Sequence, residues 1–263
     1  MTQTTKSAVP TFENRWALFL DVDGTLVDFV EHPDQLRASR RLIELVRKLH
    51  RLTQGAVALV SGRTIASVDA IFEPLRVPLA GLHGHERRDA LGHTRQAPVE
   101  DVEARPLFVA RERFNKLVEQ HPGTFVEEKG AAIALHYRRA PGAAEEVETL
   151  ASALEGELPE PFCVQRGKMV LEIRSCEHSK GAAIEAFMNE LPFENRIPVF
   201  IGDDATDEYG FRWVNEHGGL SIKVGPGTSS ARFRFEDVGQ VVGWLEDYVD
   251  FLRKREGEIG NVC

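Results

Sequence analysis

Two aspartates separated by one residue follow an apolar run near the start of the chain, in WALFLDVDGTLVD (16–28). Alternate residues of a β-strand point to the same side, so strand geometry carried through Asp23 would place Asp21 and Asp23 in one small volume. A hard divalent cation such as Mg²⁺ would offset the repulsion between the carboxylates, and Gly24 with Thr25 would let the chain turn beyond them. The alternative is an Asp-rich turn that caps the next helix. For this motif alone, both interpretations remain open.

Further polar residues end other predicted strands or begin predicted helices. They are Ser61 after GAVALV, Lys180 in SKGAAIEAFMNEL, and Asp203, Asp204 and Asp207 in GDDATDE. Each has an ordinary explanation by itself, as a turn residue, a solvated helix residue or an acidic helix N-terminus. Open parallel sheets, however, bind ligands at the carboxyl ends of their strands. We therefore expect these residues to meet Asp21 and Asp23 in one crevice.

These residue types match what phosphoryl transfer requires. A carboxylate can attack phosphorus and hold it as an aspartyl phosphate, which divides hydrolysis into two easier steps. A second carboxylic acid can protonate the departing oxygen and then, as a carboxylate, deprotonate the attacking water. Mg²⁺ would offset the charge repulsion, and Ser and Lys donors would hold the transferring oxygens.

The elements that must position these residues predict a parallel sheet with helices on both faces. Apolar residues at helical spacing separate the first apolar run from GAVALVSGR, which is a βαβ pattern, and TIASVDAIF and VPLAG continue it. The C-terminal third resumes the alternation in SKGAAIEAFMNEL, IPVFIGDD, DEYGFRWVNEHG, GLSIKVG and VVGWLEDYVDFLRKR. Both ends of the chain are therefore expected in one α/β core.

The middle third has a different pattern. A helical segment near 102–119 precedes two strand-like runs around Lys129-Gly130, and a second helix near 143–154 precedes two strands around Gly167. This predicts an inserted αββαββ cap at residues 96–175, between core segments 1–95 and 176–263. The polar, turn-rich stretches HERRDALGHTRQAP and RSCEHS are the expected hinge linkers.

Composition restricts the possible partners. The 263 residues are 42% hydrophobic, and 32 basic against 41 acidic residues give a net charge of −9. This charge disfavours broad binding to nucleic acid or to an anionic membrane, so we expect a small-molecule partner. We also expect a monomer. The start MTQTTKSAVP lacks the apolar core of a secretory signal, and no apolar run approaches the roughly 20 residues of a membrane helix, which predicts a cytoplasmic protein. Cys163, Cys176 and Cys263 are expected to be free or buried thiols, because their number is odd and their spacing is unlike a metal site.

The motifs DVDGT, LVSGR, SKG and GDDATDE together resemble those of the haloacid dehalogenase superfamily of phosphatases. The resemblance implies a Rossmann-like parallel-sheet core in which Asp21 is the nucleophile and a Mg²⁺ ligand. Asp23 would be the general acid and base and give its backbone carbonyl to the metal, and Asp203 would complete the metal ligands. The expected phosphate-binding residues are Ser61, Gly62, Arg63 and Lys180. Asp204 and Asp207 would support the metal from behind its ligands or contact it through water.

Longer segments resemble, over about residues 16–250, the family of trehalose-6-phosphate phosphatases, close to its bacterial form. They are LAGLHGHERRD, EEKGAAIALHYR, GKMVLEIR, SKGAAIEAFM and PVFIGDDATDEYGF. The resemblance implies Mg²⁺-dependent hydrolysis of trehalose 6-phosphate, the last step of trehalose biosynthesis. The residues that would contact the disaccharide are Glu127, Lys129, Arg138, Lys168 and Glu172. Mixed acids and bases suit a polyhydroxylated ligand, although a solvated sheet face would also show them.

Three other functions stay open at this point. The first is a phosphatase of another sugar phosphate, of the sucrose-6-phosphate or glucosyl-glycerate type. The second is a phosphosugar mutase, which would use Asp21 to return the phosphate to a sugar. The third is a binding protein with an inactive site, which the presence of Asp21, Asp23, Lys180 and Asp203 disfavours.

Overall fold

The computed structural model describes residues 11–28, 36–96, 101–130 and 132–260. The chain divides into two compact units, one formed by Met1–Arg95 with Ser179–Cys263 and the other by Gln96–His178. We refer to them as the core unit and the inserted unit. Among the described residues, no helix is both long enough and apolar enough to cross a membrane.

An eight-stranded sheet forms the centre of the core unit. Its strands are β1 (Trp16–Leu20), β2 (Val57–Val60), β3 (Leu79–Gly81), β4 (Glu86–Arg88), β5 (Thr94–Gln96), β10 (Ile197–Gly202), β11 (Leu220–Val224) and β12 (Phe233–Phe235). They lie in the order β12-β11-β10-β1-β2-β3-β4-β5. Neighbours from β12 to β3 are parallel, and β4 runs antiparallel to β3. The first strand is therefore central, and its carboxyl end lies between those of β2 and β10.

Helices cover both faces of this sheet. They are α1 (Arg40–Leu52), α2 (Ile65–Phe72), α5 (Lys180–Met188), α6 (Asp207–Glu216) and α7 (Val238–Gly260). Alternate residues of β1 enter different apolar clusters: Leu18 and Leu20 pack with residues of α1, α2 and α7, whereas Ala17 and Phe19 pack with residues of α5 and α6. This arrangement confirms the predicted α/β fold.

The inserted unit has the predicted order αββαββ. Its elements are α3 (Asp101–Gln120), β6 (Phe125–Glu128), β7 (Ala132–His136), α4 (Ala144–Glu157), β8 (Phe162–Gly167) and β9 (Val170–Ser175). The strands form an antiparallel sheet in the order β6-β7-β9-β8. One face of that sheet packs on α3 and α4 through an apolar cluster that includes Phe114, Leu135 and Leu154. The second hairpin turns at Lys168 and Met169, one residue beyond the predicted Gly167, and Met169 has a φ of +65°.

The stretch expected to be the first hinge linker is partly sheet. Strand β4 pairs with β3, and Arg88 at its end is buried. The guanidinium of Arg88 donates to both carboxylate oxygens of Asp69, at 2.8 and 2.9 Å, and to the carbonyl of Val77. The charges of HERRD suggested a solvated linker, but a distant acid and a backbone carbonyl satisfy Arg88 inside the fold.

The prediction of free thiols is wrong for two of the three cysteines. Cys163 and Cys176 form a disulfide, with their Cα atoms 5.7 Å apart. Cys163 of β8 lies opposite Arg174 of β9, so Cys176, which directly follows β9, lies next to β8. This contact depends on the strand pairing and cannot be recognised from the spacing of the cysteines. Cys263 lies outside the described residues.

Candidate active site

Three buried carboxylates meet at the carboxyl ends of β1 and β10. Oxygen atoms of Asp21, Asp203 and Asp207 all lie within 4.8 Å of one another. The parallel pairing continues one residue beyond β1, where the backbone N–H of Asp21 donates to the carbonyl oxygen of Ile201 at 3.0 Å. Asp203 directly follows β10, and Asp207 is the first residue of α6. The predicted meeting of Asp21 with the GDDATDE segment is therefore present in the fold.

Lys180 binds two of these carboxylates. Its Nζ donates to Asp21 Oδ1 at 2.7 Å and to Asp207 Oδ1 at 2.6 Å, and all three side chains are buried. Ser179 caps α5 by accepting the N–H of Ala182, which makes Lys180 the first residue of the helix. The sequence predicted this position of Lys180, but not its two carboxylate partners.

The electrostatics of the cluster favour an additional cation. Burial raises the pKa of Asp21 well above its usual value; Lys180 opposes this effect, and the charges of Asp207 and Asp203 add to it. Burial also lowers the pKa of Lys180, but Asp207 and Asp21 outweigh that effect, and the net pKa is raised above its ordinary value. Lys180 binds two of the three buried carboxylates, whose hard oxygens together suit a divalent cation such as Mg²⁺. The residues present fit such an ion.

Asp207 also holds the loop that carries Asp203. Its Oδ2 accepts the backbone N–H groups of Asp203 and Asp204, at 2.8 and 2.7 Å. Gly202 allows this approach, because a Cβ there would lie 2.3 Å from the Asp207 carboxyl carbon. The carboxylate of Asp204 accepts the N–H of Ala205 in its own loop. Asp207, rather than Asp23, is the third carboxylate of the buried cluster.

Asp23 has a different partner. The chain leaves the sheet before this residue, so the strand predicted to extend through Asp23 ends earlier, and Gly24 then adopts a φ of +77°. The guanidinium of Arg63 donates to both oxygens of Asp23, from Nε at 2.6 Å and from Nη2 at 2.7 Å. This bidentate ion pair holds the carboxylate in a fixed orientation.

The turn after β3 contacts and supports the loop after β2. Ser61 is buried, and its Oγ accepts the N–H of Arg63 at 3.1 Å. The backbone N–H of His83 donates to the carbonyl of Ser61 at 3.0 Å, and the ring of His83 lies so close to Gly62 that a Cβ there would be 2.8 Å from it. His83 has a φ of +57°. This support was not predicted from the sequence, in which the two histidines of GLHGHE were the available signal.

The sugar-contact residues expected in the inserted unit form two groups. Lys129 Nζ donates to Glu172 Oε2 at 2.7 Å and lies 3.8 Å from Glu127 Oε2. In the second group, Arg138 Nη2 donates to the carbonyl of Lys168 at 3.3 Å, and both side chains are exposed. The structure thus brings together Glu127, Lys129 and Glu172 on one sheet.

Known structures with this fold include phosphatases. A chain from Bacteroides thetaiotaomicron, described as a phosphatase of the haloalkanoate (HAD) enzyme superfamily, superposes with a TM-score of 0.60 at 18% identity, covering 93% of this chain and 99% of that one. The C-terminal domain of trehalose-6-phosphate phosphatase from C. albicans superposes with a TM-score of 0.82 at 21% identity, covering 90% of this chain and 92% of that one. The fold of this chain is thus one that phosphatases of the haloalkanoate (HAD) superfamily have.

Sequence comparison identifies the family within this class. The profile of the family described as trehalose-phosphatase matches residues 19–238. The chain is 42% identical to trehalose-6-phosphate phosphatase of Escherichia coli strain K12, over 94% of this chain and 91% of that protein. It is 41% identical to a probable trehalose-phosphate phosphatase of Sinorhizobium fredii, over 84% of this chain and 82% of that protein. The chain belongs to the trehalose-phosphatase family.

Proposed function

We propose that this protein hydrolyses trehalose 6-phosphate to trehalose and inorganic phosphate with Mg²⁺. The proposal depends on one observation, the buried group of Asp21, Asp203, Asp207 and Lys180. This group lies in a chain that is 42% identical to the trehalose-6-phosphate phosphatase of Escherichia coli. Asp21 and Asp203, with the backbone carbonyl of Asp23, would hold the ion. Bound Mg²⁺ would offset the repulsion between the Asp21 carboxylate and the phosphate dianion.

Asp21 makes the first bond in this mechanism. A carboxylate oxygen of Asp21 attacks phosphorus, and the bond between phosphorus and the sugar oxygen breaks. Asp23, as a carboxylic acid, gives its proton to that leaving oxygen, so trehalose departs as an alcohol. Lys180 and the Ser61-Gly62-Arg63 loop hold the oxygens of the transferring group, since buried cationic and hydrogen-bond donors stabilise the charge on them.

Water completes the reaction in a second step. Asp23, now a carboxylate paired with Arg63, takes a proton from water, and the water oxygen attacks the phosphorus of the aspartyl phosphate. The bond between phosphorus and Asp21 breaks, which releases phosphate and restores the carboxylate. Asp207 keeps Lys180 and the Asp203 loop in place throughout, because its two oxygens bind both. Asp204 has a supporting role in the same loop.

The inserted unit supplies the preference for a disaccharide in this proposal. Its candidate sugar contacts are Glu127, Lys129, Arg138, Lys168 and Glu172. Carboxylates accept and ammonium or guanidinium groups donate hydrogen bonds, so together they can bind hydroxyl groups, which do both. A monomeric state and a cytoplasmic location stay predictions from the sequence.

Product analysis tests the proposed reaction. Purified protein is incubated with trehalose 6-phosphate and Mg²⁺, and chromatography is used to measure free trehalose and phosphate. We expect equimolar trehalose and phosphate, with no product in excess chelator and recovery when Mg²⁺ is restored. An isomeric sugar phosphate without free phosphate would indicate a mutase, and the absence of any product would leave a binding protein.

A further inference from the structure

The sheet of the inserted unit has a second face with a distinct composition. Phe125 of β6 lies opposite His136 of β7. Two residues along, Ala134 of β7 lies between Glu127 of β6 and Glu172 of β9. Side chains of these residues point away from α3 and α4, because the intervening residues of the same strands enter the apolar cluster with those helices. This face therefore combines two aromatic rings with a group of charged side chains.

The two rings form a parallel stack. The centroids of Phe125 and His136 are 4.5 Å apart, and their planes differ by 8°. Phe125 is nevertheless 45% exposed, although most large apolar side chains of the unit are buried. One ring face of Phe125 is covered by His136, and its exposed part is a flat apolar surface beside polar groups. Such a surface suits a ligand that has both apolar and hydroxyl-bearing sides.

The stack is joined directly to one of the expected sugar contacts. His136 Nε2 donates to Glu127 Oε2 at 2.8 Å, and Lys129 Nζ lies 3.8 Å from the same oxygen. Burial raises the pKa of Glu127, but the hydrogen bond from His136 and the charge of Lys129 outweigh this effect, so its pKa is lowered. Both contacts use Oε2, and Oε1 can therefore accept a ligand hydroxyl. His136 thus fixes an ionised acceptor next to the Phe125 ring.

We propose that Phe125 and His136 form the apolar wall of a hexose subsite, in which Phe125 contacts the ligand and His136 is a positioning residue for Glu127. A pyranose ring carries C–H groups on its faces and hydroxyls around its edge. Its C–H groups would pack on the electron-rich face of the Phe125 ring while an edge hydroxyl donates to Glu127. The inference rests on the proposed function, because it identifies the hexose as part of the substrate of that reaction.

Substitution of the ring tests the contact. Phe125→Leu keeps an apolar side chain but removes the flat surface, and the readout is the ratio of kcat/KM for trehalose 6-phosphate to kcat/KM for p-nitrophenyl phosphate. We expect this ratio to fall about threefold to tenfold, mainly through KM, because ring contacts of this kind contribute modest binding energy. The matched control is Phe108→Leu, since Phe108 is 55% exposed on α3 of the same unit. Its ratio should stay within about twofold of the wild type, as for an ordinary surface substitution.

A conservative pair of variants tests the positioning role. His136→Gln keeps an N–H donor for Glu127, whereas His136→Leu removes it. We expect His136→Leu to lower the same ratio and His136→Gln to restore most of it. Inhibition of p-nitrophenyl phosphate hydrolysis by trehalose gives a second readout. Because trehalose carries no phosphate, its inhibition constant measures binding of the sugar alone. The inhibition constant should rise in Phe125→Leu and His136→Leu by a similar factor.

The outcomes separate this inference from the proposed function. A wild-type protein that neither hydrolyses trehalose 6-phosphate nor is inhibited by trehalose contradicts the proposed function, and the subsite inference with it. A wild-type protein that does both, with Phe125→Leu and His136→Leu folded and indistinguishable from Phe108→Leu, contradicts the subsite alone. Equal losses for His136→Gln and His136→Leu would show that the hydrogen bond to Glu127 is not what His136 contributes.

Discussion

Removal of the Lys180 charge should weaken both folding and catalysis. Lys180 donates to Asp21 and Asp207 at 2.7 and 2.6 Å inside the core, so Lys180→Met removes a cation that both of these buried carboxylates bind. Breaking a buried ion pair in this way costs about 3–5 kcal/mol, which corresponds to a decrease in Tm of about 6–20 °C for a chain of this size. The deficit is measured by thermal unfolding in excess chelator, with Lys254→Met on the exposed side of α7 as the control.

The pH dependence of this deficit provides a further check. The loss of Lys180 should raise the pKa of Asp21 further, because Lys180 is the group that lowers it against burial. A carboxyl with a raised folded-state pKa stabilises the fold below its unfolded value and loses that contribution as the pH rises through the folded one. The difference in Tm between Lys180→Met and the wild type should therefore be larger at pH 7.5 than at pH 5. A deficit no greater than that of Lys254→Met, or one independent of pH, would refute this account of the buried cluster.

Four other expectations concern catalysis and stability. Asp21→Asn should abolish turnover and the phosphoenzyme in acid-quenched samples, yet raise Tm in chelator at neutral pH, because the buried charge that it removes is unfavourable. Asp23→Asn should slow trehalose 6-phosphate hydrolysis more than p-nitrophenyl phosphate hydrolysis in single-turnover measurements, since nitrophenolate leaves without a proton. Arg138→Ala or Glu172→Ala should cost about 1–3 kcal/mol in kcat/KM for trehalose 6-phosphate and much less for the aryl ester; equal losses would contradict a sugar contact. Excess chelator should stop phosphate release and Mg²⁺ should restore it, whereas Ca²⁺ should support it poorly because its coordination shell is larger and looser; full activity in chelator would contradict the metal requirement.

The sequence indicated the position of the acidic site because runs of apolar residues show where strands end. Asp21, Ser61 and Asp203 each follow a continuous apolar run, and such runs become central parallel strands in this fold. Their carboxyl ends lie side by side in any parallel sheet, so the crevice could be located without coordinates. The position of Lys180 could also be predicted, because a Ser cap marks the start of its helix.

The partners within the site could not be predicted in the same way. Arg63 reaches Asp23 across 40 positions of the chain, and Lys180 reaches Asp21 across 159. These pairs depend on side-chain distances in the folded state, which hydrophobic periodicity does not determine. The burial of Arg88 and the pairing of Cys163 with Cys176 were missed for the same reason. In each of these two contacts, one residue lies in a stretch that was predicted to be a hinge linker, Arg88 in the first and Cys176 in the second.

The central claim is tested most directly by side-by-side measurement of kcat/KM for trehalose 6-phosphate, glucose 6-phosphate and sucrose 6-phosphate, with Mg²⁺ and equal enzyme. We expect trehalose 6-phosphate to exceed each of the others by about a hundredfold or more, because ligands that cannot pair the buried polar groups of a binding site are rejected. The Asp21→Asn variant should release no phosphate from any of them. A comparable or higher value for another ester in the wild type, or turnover by Asp21→Asn, would contradict the account.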